Sequence, residues 1–487
     1  MEVEPLQFSR PFMQVYKIPN IHNKKIILAL GAESAGNFSL WENGTMNFSQ
    51  DFGDLANEHN FSDFKTQLLK FLKDQKIKPD IILSDLHPLF ETTKLAQQLA
   101  KKYKAQYLPV QHHHAHIFSA VGEQIIEHGA LNMEQGLIHN TQNTNSAGLC
   151  EDVLIRSNPE CCQATYFPLR PGRITMTKSI IPNTIYGIAC DGTGLGTDGK
   201  IWGGEVFTIT NNQKPKTKQT SNLRLQITRI GHLENQILLG GEMAIQQPAR
   251  MLIAILKKIP RYKIQDTNKN QTPKTKLQKF PENNGSDKLF AYNFVKRFYT
   301  PNEFEVLWSQ LEQNFNCLET SSTARVLDAV SVLLGFSNNE RLSKHGPIAL
   351  LEKNSTKPYL NLNPKITTYN IQNTRYRILD TTYLFEYLIK NLHCDKARLA
   401  ATAQKYIADG MLKIIKTCHP ELVSGSKARE IPDQVWNDKR VFASGGMMNN
   451  KIISEIMEKQ GFYLNKKIPR GDAGLSFGQI MFYLLTK

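Results

Sequence analysis

Apolar residues fall into short runs over the first fifty positions and into helical periods thereafter. Residues 25–31 (KIILALG) make an apolar run of strand length, 37–41 predict a second strand after a small-residue turn, and 44–48 a third. The period then changes: 61–74 predicts an amphipathic helix, 80–84 (DIILS) a short buried strand, 92–103 a helix and 106–110 another strand. The same succession of hairpin-like strands and then strand–helix alternation starts again at Tyr186. It runs through IACD, a glycine turn, IWGGEVF, a strand at 225–231, long helical stretches and a last strand at 440–443. Two similar halves predict an α/β fold with a ligand cleft between them.

Three segments break this plan. Residues 123–183 show no sustained period, 258–290 are rich in Lys, Asn and Gln, and 418–438 interrupt a good helix with Pro, Gly and Ser. They predict surface insertions without chemistry, because loops tolerate added length better than cores do. The expected organisation is a first lobe over 24–184, carrying the first insertion, and a second over 185–487, carrying the other two.

Composition narrows the choice of partner and compartment. With 487 residues, 40% of them hydrophobic, the chain is long enough for two core-bearing domains. It contains no apolar run of membrane length, and the opening MEVEPLQFSRPFMQVYKIPN is unlike a secretory leader, so a cytoplasmic protein without membrane contact is expected. The seven cysteines (Cys150, Cys161, Cys162, Cys190, Cys317, Cys394, Cys418) are scattered and form no CxxC, which argues against a disulfide framework and a zinc finger. The net charge of +15 raises nucleic acid as a partner. Much of the lysine, however, sits in tracts at 214–218 and 257–279 without interleaved aromatics, so nucleic acid is not the expected partner.

Four short stretches carry candidate chemistry. In QHHHAH (111–116), directly after a strand, His112 and His116 stand one helical turn apart on the same face, close enough to share one metal ion; the alternative is a solvated polar helix start. DGTGLGTDGKIWGGE (191–205) puts Asp191 at a strand end before glycines that let backbone amides approach an anion, or that simply make a tight hairpin. SGG (444–446) lies between a strand and a helix beginning near Asn449, a second place for close backbone approach to an anion. PRGDAGLSFGQ (469–479) offers Asp472 just before a helix whose small residues permit close packing, where it otherwise reads as a simple helix cap.

Taken in order, these segments resemble the C-terminal, carbamoyl-transferring domain of HypF-type hydrogenase maturation proteins. The matching stretches are ALGAE (29–33), SQDFGDLAN (49–57), DLHP (85–88), VQHHHAH (110–116), the DGTG loop, TSSTARVLDAVSVLLG (320–335), SGG and GDAGLSFGQ (471–479). VQHHHAH together with DGTG sets them apart from the related tRNA threonylcarbamoyl transferases, whose histidine motif carries an acidic residue and a glycine between its ligands. The resemblance implies the actin-like, sugar-kinase-like (ASKHA) fold, two ribonuclease-H-like lobes around a central cleft, in agreement with the twofold pattern.

It further implies metal ligands at His112, His116, Asp191 and Asp472, a set suited to iron(II) or zinc with one position open. A nucleotide site is implied at Gly203, Gly204, Gly445, Gly446 and Asn450, with Gly240, Gly241 and Glu242 along the ribose side, taking carbamoyl-adenylate. Asp85 and His87 either shape the cleft or serve the fold. The implied reaction moves the carbamoyl group to the C-terminal cysteine thiol of a HypE-type partner in nickel–iron hydrogenase maturation, with no nucleophile from this chain.

The match has gaps. Full-length family members begin with an acylphosphatase domain, paired zinc fingers and an adenylate-synthesising domain, none of which is found in this sequence, so a separate protein is expected to supply the donor. Ala35 and Gly36 stand where the family usually has lysine and asparagine, Met243 and Gln246 where it has lysine and arginine, and His345 where it has glutamate. A charge-assisted contact contributes about 1.5 to 3 kcal/mol, so losing such cations predicts weakened turnover. A tRNA-modification subunit and a catalytically degenerate nucleotide- or metal-binding protein are the alternatives.

Overall fold

Asn43 and Gly44 both take positive φ (46° and 84°), the backbone of a two-residue hairpin turn whose twist matches the strands it joins. Around that turn the first sheet is built. The structure is a computed structural model that describes residues 13–18, 21–127, 184–211, 225–259, 285–371, 374–418 and 441–487. Its first six strands are β1 (Met13–Lys17), β2 (Ile27–Ala29), β3 (Ser39–Glu42), β4 (Thr45–Ser49), β5 (Ile81–Asp85) and β6 (Gln106–Val110). They lie in the order β1-β4-β3-β2-β5-β6, with β2, β3 and β4 antiparallel and β5 and β6 running parallel to β2.

The second sheet repeats this wiring. Its strands are β7 (Thr184–Leu195), β8 (Ile201–Asn211), β9 (Leu225–Leu233), β10 (Gln236–Leu239), β11 (Cys317–Thr320), β12 (Ile366–Ile371), β13 (Thr374–Leu379), β14 (Val441–Ser444) and β15 (Tyr463–Leu464). The order β9-β8-β7-β14-β15 reproduces β4-β3-β2-β5-β6: three antiparallel strands, then two parallel ones reached by helical crossovers. β13 and β12 extend the edge beyond β9, while β10 and β11 pair beside β8. These four strands were not expected within the long helical stretches of the second half. β10 is a run of only four residues, and β12 and β13 (ITTYNI, TRYRIL) are polar-rich, so neither pattern separates strand from helix.

Two helices cross between the sheets. The helix 112–127 follows β6 directly, and the last helix, Leu475–Thr486, packs on β2, β3 and β5 of the first sheet. One apolar core joins Ile27, Trp41, Ile117, Phe118, Phe207, Phe442 and Phe477 from both sheets and both helices. The helices meet at small residues. A Cβ on Gly478 would lie 1.9 Å from the Ala115 carbonyl oxygen, and one on Gly122 would lie 2.5 Å from Met481. Backbone thus touches backbone between His112 and His116.

Of the three expected insertions, residues 128–183, 260–284 and 419–440 lie outside the described residues, as do lysines 214–218. Residues 123–127 continue a helix, and Gly285–Val295 forms another. Among the described residues no helix is long and apolar enough to cross a membrane.

Gly478→Ala forces a methyl into the Ala115 backbone, and overpacking of this kind costs about 1–3 kcal/mol. The urea midpoint of the variant is expected to fall accordingly. An unchanged midpoint would mean that the two helices are not held in this close contact.

Candidate metal centre

The helix 112–127 begins where β6 ends, with the Gln111 side-chain oxygen accepting from the His114 N–H (2.9 Å) as its cap. That start fixes the rotation of the helix, so His112 and His116 face inward together, their rings 4.9 Å apart and both side chains buried. Asp191 sits where β7 loses register with β8, between Cys190 and Gly194, and the irregularity turns its carboxylate toward the histidines. Its Oδ1 accepts from the Gly446 N–H (3.1 Å), in the loop after β14. Asp472 opens the short turn before the last helix, and its Oδ2 accepts from the Ser34 hydroxyl.

Four ligand atoms therefore converge, all within 4.8 Å of one another. His112 Nε2 is 3.0 Å from Asp191 Oδ2 and 3.6 Å from Asp472 Oδ1, while His116 Nε2 is 3.5 Å and 3.4 Å from the same oxygens. Four donors around a cation at 2.0–2.1 Å lie about 3.3 Å apart in a tetrahedron, close to the four imidazole–carboxylate distances. His116 Nε2 and Asp472 Oδ1 are buried 3.4 Å apart with no hydrogen-bond partner, a pairing that a bound cation would satisfy. The donor set fits a borderline divalent ion such as zinc or iron(II).

Asp85 completes the arrangement from behind. Its Oδ2 lies 2.6 Å from His112 Nδ1, and its Oδ1 accepts from the His87 backbone N–H (2.9 Å). With Nδ1–H donating to Asp85, the lone pair on Nε2 points at the two aspartates, the orientation a ligand imidazole requires. His87 itself stacks on Phe90, ring centroids 4.2 Å apart. His113 contacts Gln111 and Trp202, His114 packs on Phe207 and Phe482, and burial pushes the latter imidazole down to about 4.

Without a cation, protons bind the cluster. Burial opposes charge on His112, but Asp85, Asp191 and Asp472 outweigh it and hold its pKa well above the ordinary imidazole value. His116 is raised in the same way by Asp191 and Asp472. Burial would raise both aspartates, yet the two imidazoles hold Asp191 well below the ordinary carboxylate value and lower Asp472 as well.

His112, Asp191 and Asp472 of the cluster line a cleft of about 500 Å³, together with Glu33, Ser34, Thr193, Arg325, Arg341 and Lys344. Arg325 comes from the first turn of the helix Thr323–Leu334 and is 3% exposed. It pairs with Asp328 (3.0 Å) out of hydrogen-bond alignment, leaving Nε and Nη1 unpartnered. Burial and the neighbouring Arg325 cation press Arg341 down to about 10. Lys344 reaches across the cleft to the Ser34 carbonyl (2.7 Å) and lies 3.8 Å from Asp472. The sequence reading missed these three cations, since Arg325 stands well before Arg341 and Lys344 and none marks a period; Arg325 alone had a signal, being charged, with Asp328, in the apolar run TARVLDAV.

The residues proposed for the nucleotide take varied positions. Gly446 lines the cleft. Gly445, at φ 107°, is pressed on the backbone of Cys190, where a Cβ would lie 2.1 Å from its carbonyl oxygen. Gly203 and Gly204 pack against the backbone of Asp191, Ser321 and Ser322, inside the sheet. Asn450 is buried as the cap of the helix Lys451–Lys459 and bonds Gln404 (2.7 Å). Gly240 and Gly241 make a positive-φ turn next to Arg250 and Asn316, and Glu242 is exposed. Of the departures, Gly36 has no room for a longer side chain, because a Cβ would meet Leu55 at 2.3 Å. Gln246 and His345 line the cleft, and burial together with Lys344 and Arg341 lowers the His345 pKa.

Residues 187–479 match the family described as carbamoyltransferase, Kae1-like domain, second subdomain, and residues 22–123 match the HypF Kae1-like domain. The chain is 30% identical over 493 aligned positions to the probable carbamoyltransferase HypF of Methanocaldococcus jannaschii, covering 99% of this chain and 49% of that protein. It is 23% identical over 479 positions to the carbamoyltransferase HypF homolog of Cupriavidus necator, covering 96% of this chain and 93% of the relative. It thus spans about half of the first protein and nearly all of the second. The crystal structure of full-length HypF in the phosphate- and nucleotide-bound form superposes with a TM-score of 0.66 at 21% identity, over 96% of this chain and 56% of that one. The fold is accordingly the actin-like α/β architecture with two ribonuclease-H-like sheets.

The pKa directions set a pH dependence for chelator-treated protein. The raised histidines contribute stability that is whole below their ordinary value of 6.5 and is lost as pH rises through the elevated folded values. The depressed aspartates contribute stability present above 3.8 and lost as pH falls through their lowered values. Urea midpoints are therefore expected to fall as pH is raised from 6.5 into the alkaline range, and to fall less in His112→Ala. A wild-type midpoint that holds or climbs over that range would contradict the electrostatics.

Proposed function

Because the chain belongs to the HypF carbamoyltransferase family through its Kae1-like domain, we propose that it transfers the carbamoyl group of carbamoyl-adenylate to the C-terminal cysteine thiol of a HypE-type partner, a cytoplasmic step in nickel–iron hydrogenase maturation. In this reading His112, His116, Asp191 and Asp472 hold one divalent ion, zinc or iron(II). When bound, such an ion supplies Lewis-acid polarisation of a carbonyl or phosphate oxygen. The observation that carries the reading is the presence, in one cleft, of this four-donor cluster and of Arg325, Arg341 and Lys344.

The protein's own residues have separable tasks. The three cations face the position an adenylate phosphate would take and favour the charge that gathers on it as it leaves. Asp85 keeps His112 turned toward the ion through its Nδ1–H. As the acceptor sulfur bonds to the carbamoyl carbon, the bond from that carbon to the phosphate oxygen breaks, AMP departs and the thiol proton passes to solvent. Cys190, next to Asp191, is unsuited to replace that acceptor: it is fully buried, and burial pushes its thiol up to about 12. In this reading the carbamoyl-adenylate is made by acylphosphatase and adenylate-synthesising domains outside the matched residues 22–123 and 187–479. Arg325, Arg341 and Lys344 also speak against the degenerate alternative, because the cleft keeps positive charge despite the substitutions at 35, 36, 243 and 246.

Incubating the purified protein with carbamoyl-adenylate and the thiol partner is expected to raise the partner's mass by one carbamoyl group, and not when the partner's terminal cysteine is replaced by serine. No increment from metal-loaded protein would overturn the enzymatic reading. His112→Ala and Asp472→Ala are each expected to weaken zinc binding by about 100-fold or more, beyond what is typical for losing an outer partner. Equal affinity in both variants and the wild type would remove the proposed centre.

A further inference from the structure

Glu123 lies about two helical turns beyond His116 on the helix 112–127, takes no part in lining the cleft and is 2% exposed. Its carboxylate is gripped by the loop that leads to Asp472. Oε1 accepts from the backbone N–H groups of Lys466 and Lys467 (2.8 Å each), and Oε2 from the N–H of Ile468 (2.9 Å) and the Asn465 amide (3.3 Å). Three consecutive N–H groups turned to one side make a concave anion seat. A buried carboxylate without them would be costly, and so would the orphaned N–H groups.

The contact continues to the other aspartate. The Asn465 side-chain oxygen accepts from the Ser444 hydroxyl (2.9 Å), and the Arg470 carbonyl accepts from the Gly445 N–H (2.9 Å). The Arg470 guanidinium donates to the carbonyls of Asn465 (2.9 Å) and Met448 (2.7 Å), and the Gly446 N–H holds Asp191. One carboxylate therefore ties the helix bearing both imidazoles to the segment bearing Asp472 and to the loop that orients Asp191.

We infer that Glu123 is a positioning residue, setting the distance of Asp472 from His112 and His116 and so the affinity of the site for its cation. This rests on the proposed metal centre. Glutamine at this position keeps the volume but turns an NH₂ toward N–H donors whichever way the amide faces, so the loop must move away.

The test is a zinc titration against a competing chelator on the full chain. Glu123→Gln is expected to weaken zinc binding by about tenfold or more while the metal-free variant stays folded. In an Asp472→Ala background it is expected to add less than about a twofold further loss, because the group it positions is gone. Unchanged affinity in Glu123→Gln overturns the inference, and so does a loss that persists in full in the Asp472→Ala background, which marks general loosening of the fold. Should Glu123→Gln fail to fold, Asn465→Ala removes one of the four contacts. It is expected to weaken zinc binding by a few-fold in the wild type and not in Asp472→Ala, and equal losses in both overturn the inference. His112→Ala separates the two levels: if it binds zinc like the wild type, the centre itself fails. If it loses zinc while Glu123→Gln does not, only the positioning role fails.

Discussion

Two carboxylates buried within 3.0–3.6 Å of two imidazoles are the constraint around which the rest of this molecule is arranged. Neither pair tolerates the interior alone, since buried like charges repel and unpartnered imidazole nitrogens forfeit hydrogen bonds. Their meeting requires three distant stretches to arrive with little freedom: a helix start after β6, an irregularity in β7 and the turn before the last helix. The close backbone contacts serve that delivery. Gly478 lets the last helix touch the histidine helix, and Gly445 lets the loop after β14 settle on Cys190, which leaves the Gly446 N–H free for Asp191.

The duplicated strand order explains why the cleft lies where it does. In both sheets two parallel strands follow three antiparallel ones. The histidine helix leaves the end of β6, and Gly446 follows the end of β14. Ligand sites in α/β folds gather beyond such strand ends, where helix starts and loops present backbone amides and short side chains. The second half then adds the cations: Arg325 from a helix start, and Arg341 and Lys344 from the loop before Gly346–Lys353. Lys344 bridges to Ser34 and thereby closes one end of the cleft with a contact between the two halves.

Much of this was legible because local chemistry and global fold agree. The strands expected at 37–41 and 44–48 overlap β3 and β4, the period of 61–74 lies within the helix Glu58–Asp74, and the 106–110 strand ends directly before QHHHAH. His112 and His116 were read from their spacing, Asp191 and Asp472 were added by the family resemblance, and the chain brings the four side chains together. Glycine was harder to read. Gly203 and Gly204 suit a phosphate loop by composition, yet their missing side chains make room for the backbone of Asp191, Ser321 and Ser322. Absence of a side chain does not say what fills the space. Glu123 was illegible for a different reason: it opens the stretch 123–183, which shows no sustained period and reads as a surface insertion, and only the folded chain brings the N–H groups of 466–468 to it. The strands β12 and β13 escaped notice because six polar-rich residues do not separate a strand from the helices expected there.

X-ray absorption on zinc-loaded protein tests the central claim most directly, since it reports the atoms around the ion rather than a consequence of binding. The account requires one ion per chain with two imidazole nitrogens and carboxylate oxygens at about 2.0–2.2 Å and no sulfur. A first shell without imidazole scattering, or one containing cysteine sulfur at about 2.3 Å, would contradict it.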